Sequence, residues 1–307
     1  MLPGSAKLSG AEHLLTVVDD VADIGVYRPW VRSRPTGSPE EENSMRSFSA
    51  VIALGAMAFL TCGLRAEEST TGSHSTPAPL LPGIGAQDPR IRVDPGVMPW
   101  GAVGKLQAAS MNFRALCTAT LVGPSTIVTA AHCTFNDRVR RYFSPGALHF
   151  LIGYTGSRYA GHAIGTAIKI SDGYDPGRPK ETVGSDWALV SLDKNLGSEG
   201  RVLPILSELP ENGAKVALGG YHKDHSLVLM ADTRCHIIGR FVDASGRLLL
   251  RHNCTATNGT SGAPLLIDRG GRWQVAAIEV LGEAGVAGGA AAVLDEAIKQ
   301  LVGDLGR

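Results

Sequence analysis

The chain has 307 residues, of which 44% are apolar and 38 are glycine, while aromatic residues account for only 6%. A chain of this length can bury a sizeable core, and many glycines with few aromatic residues favour a turn-rich β protein of one or two domains. Its 29 basic and 29 acidic residues give a formal net charge of zero, which argues against a nucleic acid or an anionic membrane surface as a partner.

The N-terminal region contains a stretch typical of a secretory signal peptide. Met45-Arg46 forms a short positive head, and the residues from Ser47 to Thr61 are nearly all apolar or small. This apolar run is too short to span a bilayer. We therefore expect a signal peptide over residues 45–66, with cleavage after Ala66, and a secreted or periplasmic mature protein without a membrane segment.

Other interpretations of this region fit less well. A lipoprotein anchor at Cys62 would follow Phe59-Leu60-Thr61, which suits such a site poorly. A buried core helix is disfavoured because polar sequence rich in Ser and Thr follows at once. Residues 1–44 would be an upstream extension that export does not need, and a mis-called start codon is the preferred account of them.

Residues 67–89 contain Ser, Thr, Pro and Gly with almost no periodic apolar pattern, which predicts a linker or a propeptide. From residue 90 onward, short β-like runs recur about every ten residues, a spacing that favours a barrel or a sandwich. The runs are 115–121, 127–130, 149–152, 166–170, 187–192, 215–218, 226–229, 235–241, 248–251, 264–267 and 273–280. Apolar residues at helical spacing over 291–301 predict a C-terminal helix.

Three motifs in this β-rich region carry candidate chemistry. Thr129-Ala130-Ala131-His132-Cys133 ends one apolar run, and Ser185-Asp186-Trp187 leads into another. Asn258-Gly259-Thr260-Ser261-Gly262 then sets a serine between two glycines, directly ahead of a third apolar run. A hydroxyl attacks an amide at neutral pH only when a base takes its proton and donors receive the oxyanion. The order of the candidate groups is therefore His, Asp, Ser.

The motifs TAAHC, DWAL and GTSGAP, in this order, resemble those of the chymotrypsin-like serine proteases. The resemblance is closest to bacterial secreted members, including the glutamyl endopeptidases, and it runs from about residue 90 to the C-terminus. It implies an all-β protease domain over residues 90–307, with two antiparallel six-stranded β-barrels. We expect the first barrel at about 90–200, the second at about 201–292 and the helix at 293–302.

The resemblance also assigns roles within the motifs. His132 would be the general base and then the general acid, oriented by Asp186, and Ser261 would be the nucleophile. The backbone N–H groups of Gly259 and Ser261 would form the oxyanion hole. Taken alone, His132 could be a core histidine, Asp186 a strand-capping carboxylate and the Ser261 segment a plain hairpin turn. Asp175 and Asp193 could replace Asp186, but no apolar strand follows either of them immediately.

Four of the five cysteines fit disulfides that the resemblance implies. Four cysteines allow three connectivities, and the family pattern pairs Cys117 with Cys133 and Cys235 with Cys254. A metal site is the competing use, but the sequence has no Cys-x-x-Cys spacing. His222-Lys223-Asp224-His225 has metal-like spacing, although a solvated loop is its ordinary interpretation. We therefore expect no metal and no cofactor.

Substrate preference is harder to read. Thr255 would lie at the base of the primary pocket, which therefore lacks the acid that trypsins carry there. Ala256 and Glu279 fall where glutamyl endopeptidases tend to have Thr and His, and Gly282 follows on the same run. A carboxylate facing a substrate carboxylate is repulsive, so Glu279 argues against glutamate preference. Glu279 either favours Lys or Arg at the cleaved bond or points to solvent.

The sequence thus favours a monomeric serine endopeptidase that acts on polypeptides. One alternative is a protease-like protein that binds without turnover, although His132, Asp186 and Ser261 are all present. Another is an esterase that uses the same triad, although α/β-hydrolase esterases run Ser, Asp, His in sequence order. Thr260 stands where trypsin-like enzymes place an acid that receives a new N-terminus. The domain is therefore expected to be competent once folded, or to be controlled by removal of residues 67–89.

Overall fold

The computed structural model describes residues 81–110, 113–197, 200–294 and 296–305. The expected upstream extension, the signal peptide and residues 67–80 of the expected linker lie outside these residues. No helix within the described ranges is long and apolar enough to cross a membrane.

The described residues form fifteen strands and one α-helix, joined by turns and short 3-10 segments. The strands are β1 (Ile91–Arg92), β2 (Val103–Ser110), β3 (Phe113–Gly123), β4 (Thr126–Thr129), β5 (Phe135–Asn136), β6 (Arg141–Tyr142), β7 (Leu148–Ile152), β8 (Gly161–Ile170), β9 (Ala188–Leu192), β10 (Lys215–Gly220), β11 (Met230–Val242), β12 (Leu248–His252), β13 (Pro264–Asp268), β14 (Trp273–Gly282) and β15 (Gly289–Val293). The helix α1 spans Glu296–Leu305.

Twelve of the strands form two closed barrels of six strands each. The first barrel has the order β2-β3-β4-β9-β8-β7, and every neighbouring pair in it is antiparallel. The second has the order β11-β10-β13-β14-β15-β12, which an antiparallel β11–β12 pairing closes. The all-β fold of two antiparallel six-stranded barrels with a C-terminal helix is confirmed. The short strand β1 adds to the outer edge of β11.

Large apolar side chains fill the barrels and make these strands stable. Leu106, Ile127 and Phe150 of the first barrel are fully buried, as are Leu218 and Leu265 of the second. Burying each such side chain contributes roughly 1.5–3 kcal/mol relative to leaving it exposed. Because the core inside each barrel is rigid, the loops between the strands can hold polar groups in fixed positions.

Two predicted elements differ from the structure. Residues 226–229 form a turn after a 3-10 segment at Lys223–His225, and the side chain of Lys105 donates a 2.8 Å hydrogen bond to Ser226 O. The predicted helical run at 291–301 begins instead as β15, because Gly289–Val293 pairs with both β12 and β14. Small residues buried on both faces of a strand show no alternation, so their period does not distinguish strand from helix.

Two disulfides tie strands of each barrel to segments that follow other strands of the same barrel. Cys117 on β3 is joined to Cys133, and Cys235 on β11 is joined to Cys254, the same pairs that the resemblance implies. The sequence separations are 16 and 19 residues. Closing a loop of that size stabilises the fold by about 3 kcal/mol in the chain-entropy model. One bridge ends beside His132, and the other ends on the segment that leads to Ser261.

Candidate active site

His132 lies in the turn that ends β4. The strand Thr126–Thr129 is fully buried, and a 3-10 segment at Ala131–Thr134 follows it directly. The hydroxyl of Thr134 donates a 2.7 Å hydrogen bond to Ala131 O, which closes the turn. The neighbouring Cys133 is fixed by its disulfide to β3. The imidazole is therefore carried by a short, braced turn at the edge of the first barrel.

Asp186 holds His132 through both carboxylate oxygens. The Nδ1–H of His132 donates to Oδ2 at 2.6 Å, and the backbone N–H of His132 donates to Oδ1 at 2.9 Å. A carboxylate accepts at Nδ1, so the neutral imidazole carries its proton there and leaves Nε2 free as a base. The sequence motifs for these two residues meet in space, although 54 positions separate them.

The same pair sets the protonation of the imidazole. Burial lowers the pKa of His132, but the charge and the hydrogen bond of Asp186 raise it more, and Asp137 adds a smaller effect in the same direction. The net result is a His132 pKa above its ordinary value of 6.5. Stabilising the imidazolium in this way is what a general base needs during the step in which it holds a proton.

The loop that carries Asp186 is clamped to the second barrel. A 3-10 segment at Val183–Ser185 precedes Asp186, and the N–H of Gly184 donates to Asp243 Oδ2 at 2.8 Å. A Cβ at Gly184 would lie only 2.7 Å from Arg247 Cβ, so the two loops fit together only with glycine there. Asp186 therefore lies where the two barrels meet.

Tyr174 is a buried aromatic residue near Asp186. It is buried with Ala131 and Ala188, which are the neighbours of His132 and Trp187 in the chain. Burial, and then the charge of Asp186, raise the pKa of the Tyr174 phenol, so this ring remains neutral beside the carboxylate. Low-dielectric surroundings of this kind strengthen the interactions of the nearby Asp186 carboxylate.

Ser261 lies in a tight turn beside His132. Gly259, two residues before Ser261, and Gly262, directly after it, have φ angles of 96° and 80°. Positive φ angles of this size favour glycine. A Cβ at Gly262 would lie 2.2 Å from Thr129 Oγ1 and 2.7 Å from Ala130 N. The glycine after Ser261 thus permits the serine turn to touch the end of β4, and this contact brings Ser261 next to the turn that carries His132.

Thr118 on β3 joins the serine turn to the first barrel, and sequence reasoning did not find it. Its N–H donates to Ser261 O at 2.9 Å, and its hydroxyl donates to Gly259 O at 2.9 Å. The hydroxyl also accepts from Tyr221 N at 3.0 Å, and Thr118 O accepts from Thr129 Oγ1 at 2.8 Å. One fully buried threonine therefore bonds to both ends of the turn and to the end of β4. Nothing in its local sequence distinguishes it from other strand threonines.

The turn leaves two backbone donors and the serine hydroxyl unpaired among the described residues. Within the described part of the chain, the N–H groups of Gly259 and Ser261 donate to no acceptor, although the neighbouring N–H groups of Thr260 and Gly262 do. The Ser261 hydroxyl is partly exposed and makes no hydrogen bond to any described residue. Such contacts often form only when substrate is bound. Two unpaired donors beside an unpaired hydroxyl can stabilise an oxyanion.

The predicted pocket residues surround this turn. Thr255, Ala256 and Glu279 are buried, whereas Gly282 is partly exposed. The Glu279 backbone bonds to the turn, because Gly262 N donates to Glu279 O at 2.7 Å and Glu279 N donates to Ala263 O at 2.8 Å. The Glu279 side chain therefore does not point to bulk solvent.

Two other neighbours of the pocket were missed from the sequence. His252 bonds to the Glu279 carboxylate at 2.6 Å. Gly83 O accepts from Ala256 N at 3.1 Å. Both are distant in sequence from the serine motif, and no local pattern links them to it.

The metal-like segment at 222–225 has another use in the structure. Arg90 donates to Asp224 Oδ2 at 2.6 Å and contacts His222 Nδ1 at 2.9 Å. Asp88, Asp224 and His225 are near enough to one another to hold an ion, but both carboxylates pair with the Arg90 guanidinium. The cysteines that flank His132 are joined to each other, so their sulfur atoms are not thiolate ligands.

Comparison with known proteins agrees with this architecture. The solved structure of a Glu endopeptidase in complex with MPD has a TM-score of 0.59 and 19% identity, covering 73% of this chain and 99% of that one. The structure of the thermostable serine protease AL20 from an extremophilic microorganism has a TM-score of 0.53 and 18% identity, and the match covers 65% of this chain and 94% of that one. The structure of the protease Anisep from Arthrobacter nicotinovorans has a TM-score of 0.51 and 15% identity, and the match covers 67% of this chain and 95% of that one. At these identities the likeness shows a shared fold.

A search of curated protein sequences found no significant match. The sequence profile of the trypsin family, in contrast, matches residues 92–294, which is well over half of the chain and includes both barrels and all three motifs. This chain belongs to the trypsin family of serine proteases.

Proposed function

We propose that the protein is a serine endopeptidase in which Ser261 is the nucleophile, His132 the general base and Asp186 its positioning partner. The observation that carries this proposal is the double contact of Asp186 with His132, directly beside a glycine-flanked serine. Nothing in the barrel fold alone requires a carboxylate to bind both N–H groups of one histidine. That arrangement fixes a tautomer, which is a requirement of base catalysis.

The reaction follows from these groups. Ser261 Oγ attacks the peptide carbonyl carbon while His132 Nε2 takes the hydroxyl proton, and the N–H groups of Gly259 and Ser261 bind the oxyanion. The C–N bond then breaks as His132 returns the proton to the leaving amine, which leaves an ester on Ser261. Water attacks this ester as its proton passes to His132. His132 then gives that proton to the departing Ser261 Oγ, which releases the carboxylic acid and restores the serine hydroxyl.

The expected setting is outside the cytoplasm. Two disulfides indicate an extracytoplasmic protein, because cytosolic thiols are kept reduced. Export as a secreted or periplasmic enzyme, through the signal peptide at 45–66, is part of this proposal. Its substrates would be polypeptides, and the proposed mechanism needs no cofactor and no second subunit.

Activation would not depend on an ion pair at position 260. Thr260 is buried, and its hydroxyl donates to Thr257 O at 2.6 Å, so the turn is closed by a local bond. A new N-terminal amine has no carboxylate to meet there. We therefore propose that the described domain is competent once folded. Activity of the folded precursor that appeared only after a cleavage creating one defined N-terminus would contradict this.

Labelling by a fluorophosphonate tests the nucleophile. The wild-type protein should be labelled on the peptide that contains Ser261. The Ser261→Ala variant should not be labelled, and its rate of peptide cleavage should fall on the order of a millionfold. Ser207→Ala, at an exposed serine, is the matched control and should be labelled normally. Persistent labelling of Ser261→Ala would contradict the assignment.

The same experiment separates the rival functions. A binding protein without turnover would show neither labelling nor cleavage in the wild type. An esterase would be labelled and would hydrolyse activated esters, but it would leave peptide bonds intact. Cleavage of a folded or unfolded protein substrate, lost in Ser261→Ala, is the result expected of an endopeptidase.

A further inference from the structure

Arg90 is a buried cation that the proposed reaction does not use. It directly precedes β1, yet its side chain is only 1% exposed. Burying a guanidinium is costly unless its charge and its N–H groups are satisfied. The groups that satisfy it therefore indicate what Arg90 holds in place.

All five N–H groups of the Arg90 guanidinium have an acceptor. Nε and Nη2 donate to the Asp88 carboxylate at 2.8 and 2.6 Å. Nη1 and Nη2 donate to the two oxygens of Asp224 at 3.1 and 2.6 Å, and Nη1 also donates to His222 Nδ1 at 2.9 Å. Two parallel bonds between a guanidinium and a carboxylate fix direction as well as distance. Arg90 therefore joins the start of the described domain firmly to residues 222–224.

The segment that Arg90 binds lies beside the serine turn. Asp224 is the central residue of the 3-10 segment Lys223–His225, and His222 directly precedes that segment. The N–H of Lys223, which lies between these two Arg90 partners in the chain, donates to Asn258 O at 2.6 Å. The position of this N–H therefore follows from the positions of its two neighbours.

The bond from Lys223 to Asn258 sets the direction of a proposed oxyanion donor. Asn258 O and the N–H of Gly259 belong to one trans peptide, so they point in opposite directions. Holding Asn258 O toward Lys223 turns the Gly259 N–H away from that segment. This N–H donates to no acceptor in the described part of the chain, and it is one of the two donors that we assign to the oxyanion.

The peptide between Asn258 and Gly259 needs such a bond because a glycine follows it. Gly259 has a φ of 96°, but glycine adopts positive and negative φ about equally well. No side chain at 259 therefore opposes a rotation of this peptide that would withdraw the N–H from the oxyanion. The hydrogen bond from Lys223 opposes that rotation instead.

We propose that Arg90 is a positioning residue for the oxyanion hole. By holding residues 222–224, it keeps the Lys223 N–H on Asn258 O and hence the Gly259 N–H directed at the oxyanion. An internal side chain thus supports the serine turn in a chain where Thr260 offers no carboxylate to a new N-terminus. This inference rests on the proposed function, since it concerns the same site.

Asp224→Ala tests the link, because it removes the carboxylate that ties Arg90 to the 3-10 segment. Removing one oxyanion donor typically lowers kcat a hundredfold or more, so we expect misdirection of Gly259 N–H to lower it about tenfold or more. KM should change by less than about threefold, since the substrate pocket is untouched. Asp88→Ala is the matched control. It removes the other carboxylate partner of Arg90, leaves the bonds to Asp224 and His222, and should retain the wild-type kcat.

Two further measurements separate positioning from a loss of stability. A peptide aldehyde forms a hemiacetal with Ser261 whose oxygen occupies the oxyanion hole, whereas the corresponding peptide alcohol forms no adduct. Asp224→Ala should bind the aldehyde about tenfold more weakly and the alcohol as before. Amide hydrogen exchange at Lys223 should be faster in Asp224→Ala than in Asp88→Ala, while thermal melts show that both variants are folded.

Arg90→Gln completes a double-mutant cycle with Asp224→Ala. If Arg90 acts through Asp224, the double variant should have about the same kcat as Asp224→Ala alone. Should Arg90→Gln fail to fold, the comparison of Asp224→Ala with Asp88→Ala decides the question. Wild type that is labelled at Ser261, with the same kcat and aldehyde affinity in Asp224→Ala, would overturn this inference alone. Equal losses in the two Asp variants would also overturn it, whereas wild type that is not labelled would overturn the proposed function instead.

Discussion

Both carboxylate oxygens of Asp186 accept hydrogen bonds from His132, and the two bonds together do more than one bond could. The bond to the His132 backbone fixes the position of the residue, while the bond to Nδ1 fixes the plane and the tautomer of the ring. The carboxylate charge also holds the His132 pKa above 6.5, against the opposing effect of burial. Position, tautomer and charge can be separated by substitution.

Asp186→Asn should retain the position but lose the tautomer and the charge. Its amide would donate to Nδ1 and force the proton onto Nε2, so kcat should fall by about four orders of magnitude. Activity requires neutral His132, and losing the charge lowers its pKa. The acid limb of the kcat/KM profile should therefore move to lower pH. Stopped assays from pH 5 to 9 measure both effects.

Asp137→Asn provides the comparison. Asp137 raises the His132 pKa through its charge alone, without a hydrogen bond to the ring. Its removal should move the acid limb in the same direction by a smaller amount, with little change in the plateau rate. An unchanged acid limb in Asp186→Asn would contradict the charge as the cause of the raised pKa.

At the scale of elements, residues 81–92 form an N-terminal strap on the second barrel. Gly83 N donates to Glu283 O at 2.6 Å, and Gly83 O accepts from Ala256 N at 3.1 Å. Further along, Arg90 is buried among acidic partners and β1 pairs with β11. The strap thus supports the segment 254–258 from outside. It therefore holds Ala256, which the sequence predicts as part of the primary pocket.

Gly83→Ala should damage substrate binding more than folding. Gly83 has a φ of 75°, and a Cβ there would lie 1.7 Å from Ala256 O, so the strap and Ala256 must move apart. We expect KM to rise about tenfold or more, with a smaller change in kcat, because the pocket is displaced and the His132 turn is not. Steady-state kinetics and a thermal melt on the same sample measure the two effects.

Gly213→Ala is the matched control for backbone strain. Its φ of 83° is similar, but nothing lies within 4 Å of the added Cβ. It should lower stability by roughly 1–2 kcal/mol, the usual penalty for a side chain at such a φ, and leave KM unchanged. A similar KM in both variants would contradict a role for the strap in the pocket.

The strands and the strap also show which parts of the structure could be predicted from the sequence. Most strands of the two barrels and the three motifs were predictable, because strand spacing, glycine turns and the chemistry of each motif are local. The exceptions are β2, which no predicted run covers, and β15, which was predicted as helix. The strap is held by backbone bonds and by Arg90, so residues 81–89 lack an apolar period and were predicted as part of a linker or propeptide. Thr118 and His252 act through partners more than 20 residues away. Such contacts leave no mark in a single sequence.

At the scale of the whole molecule, one buried charge cluster links acid pH to stability. Arg90 of the strap binds Asp88 in the strap, and Asp224 and His222 in the second barrel's 222–225 segment. Burial, and then the charge of Arg90, lower the pKa of His222 to about 3. Hydrogen bonds from Arg90 lower the pKa of Asp88, and they outweigh the opposing effect of burial at Asp224. All three groups favour the folded state less as pH falls.

The pH ranges of these effects differ. Unfolded His222 takes up a proton below about pH 6.5, whereas the folded protein does so only near pH 3. The contribution of His222 to the free energy of unfolding is therefore complete above pH 6.5 and is lost as pH falls below that value. The contributions of the Asp88 and Asp224 carboxylates are lost only below about pH 4. His132, with a raised pKa, has the opposite sign and loses its contribution above pH 6.5.

The free energy of unfolding should therefore fall by about 2 kcal/mol between pH 6.5 and pH 4.5 through His222 alone. Urea unfolding at half-unit steps of pH measures it. His222→Asn keeps an acceptor for Arg90 but cannot take up the proton, so its stability should depend less on pH in this range. His225→Asn changes a side chain that is 44% exposed and should retain the wild-type slope. An equal slope in wild type and His222→Asn would mean that protons bound elsewhere govern acid unfolding.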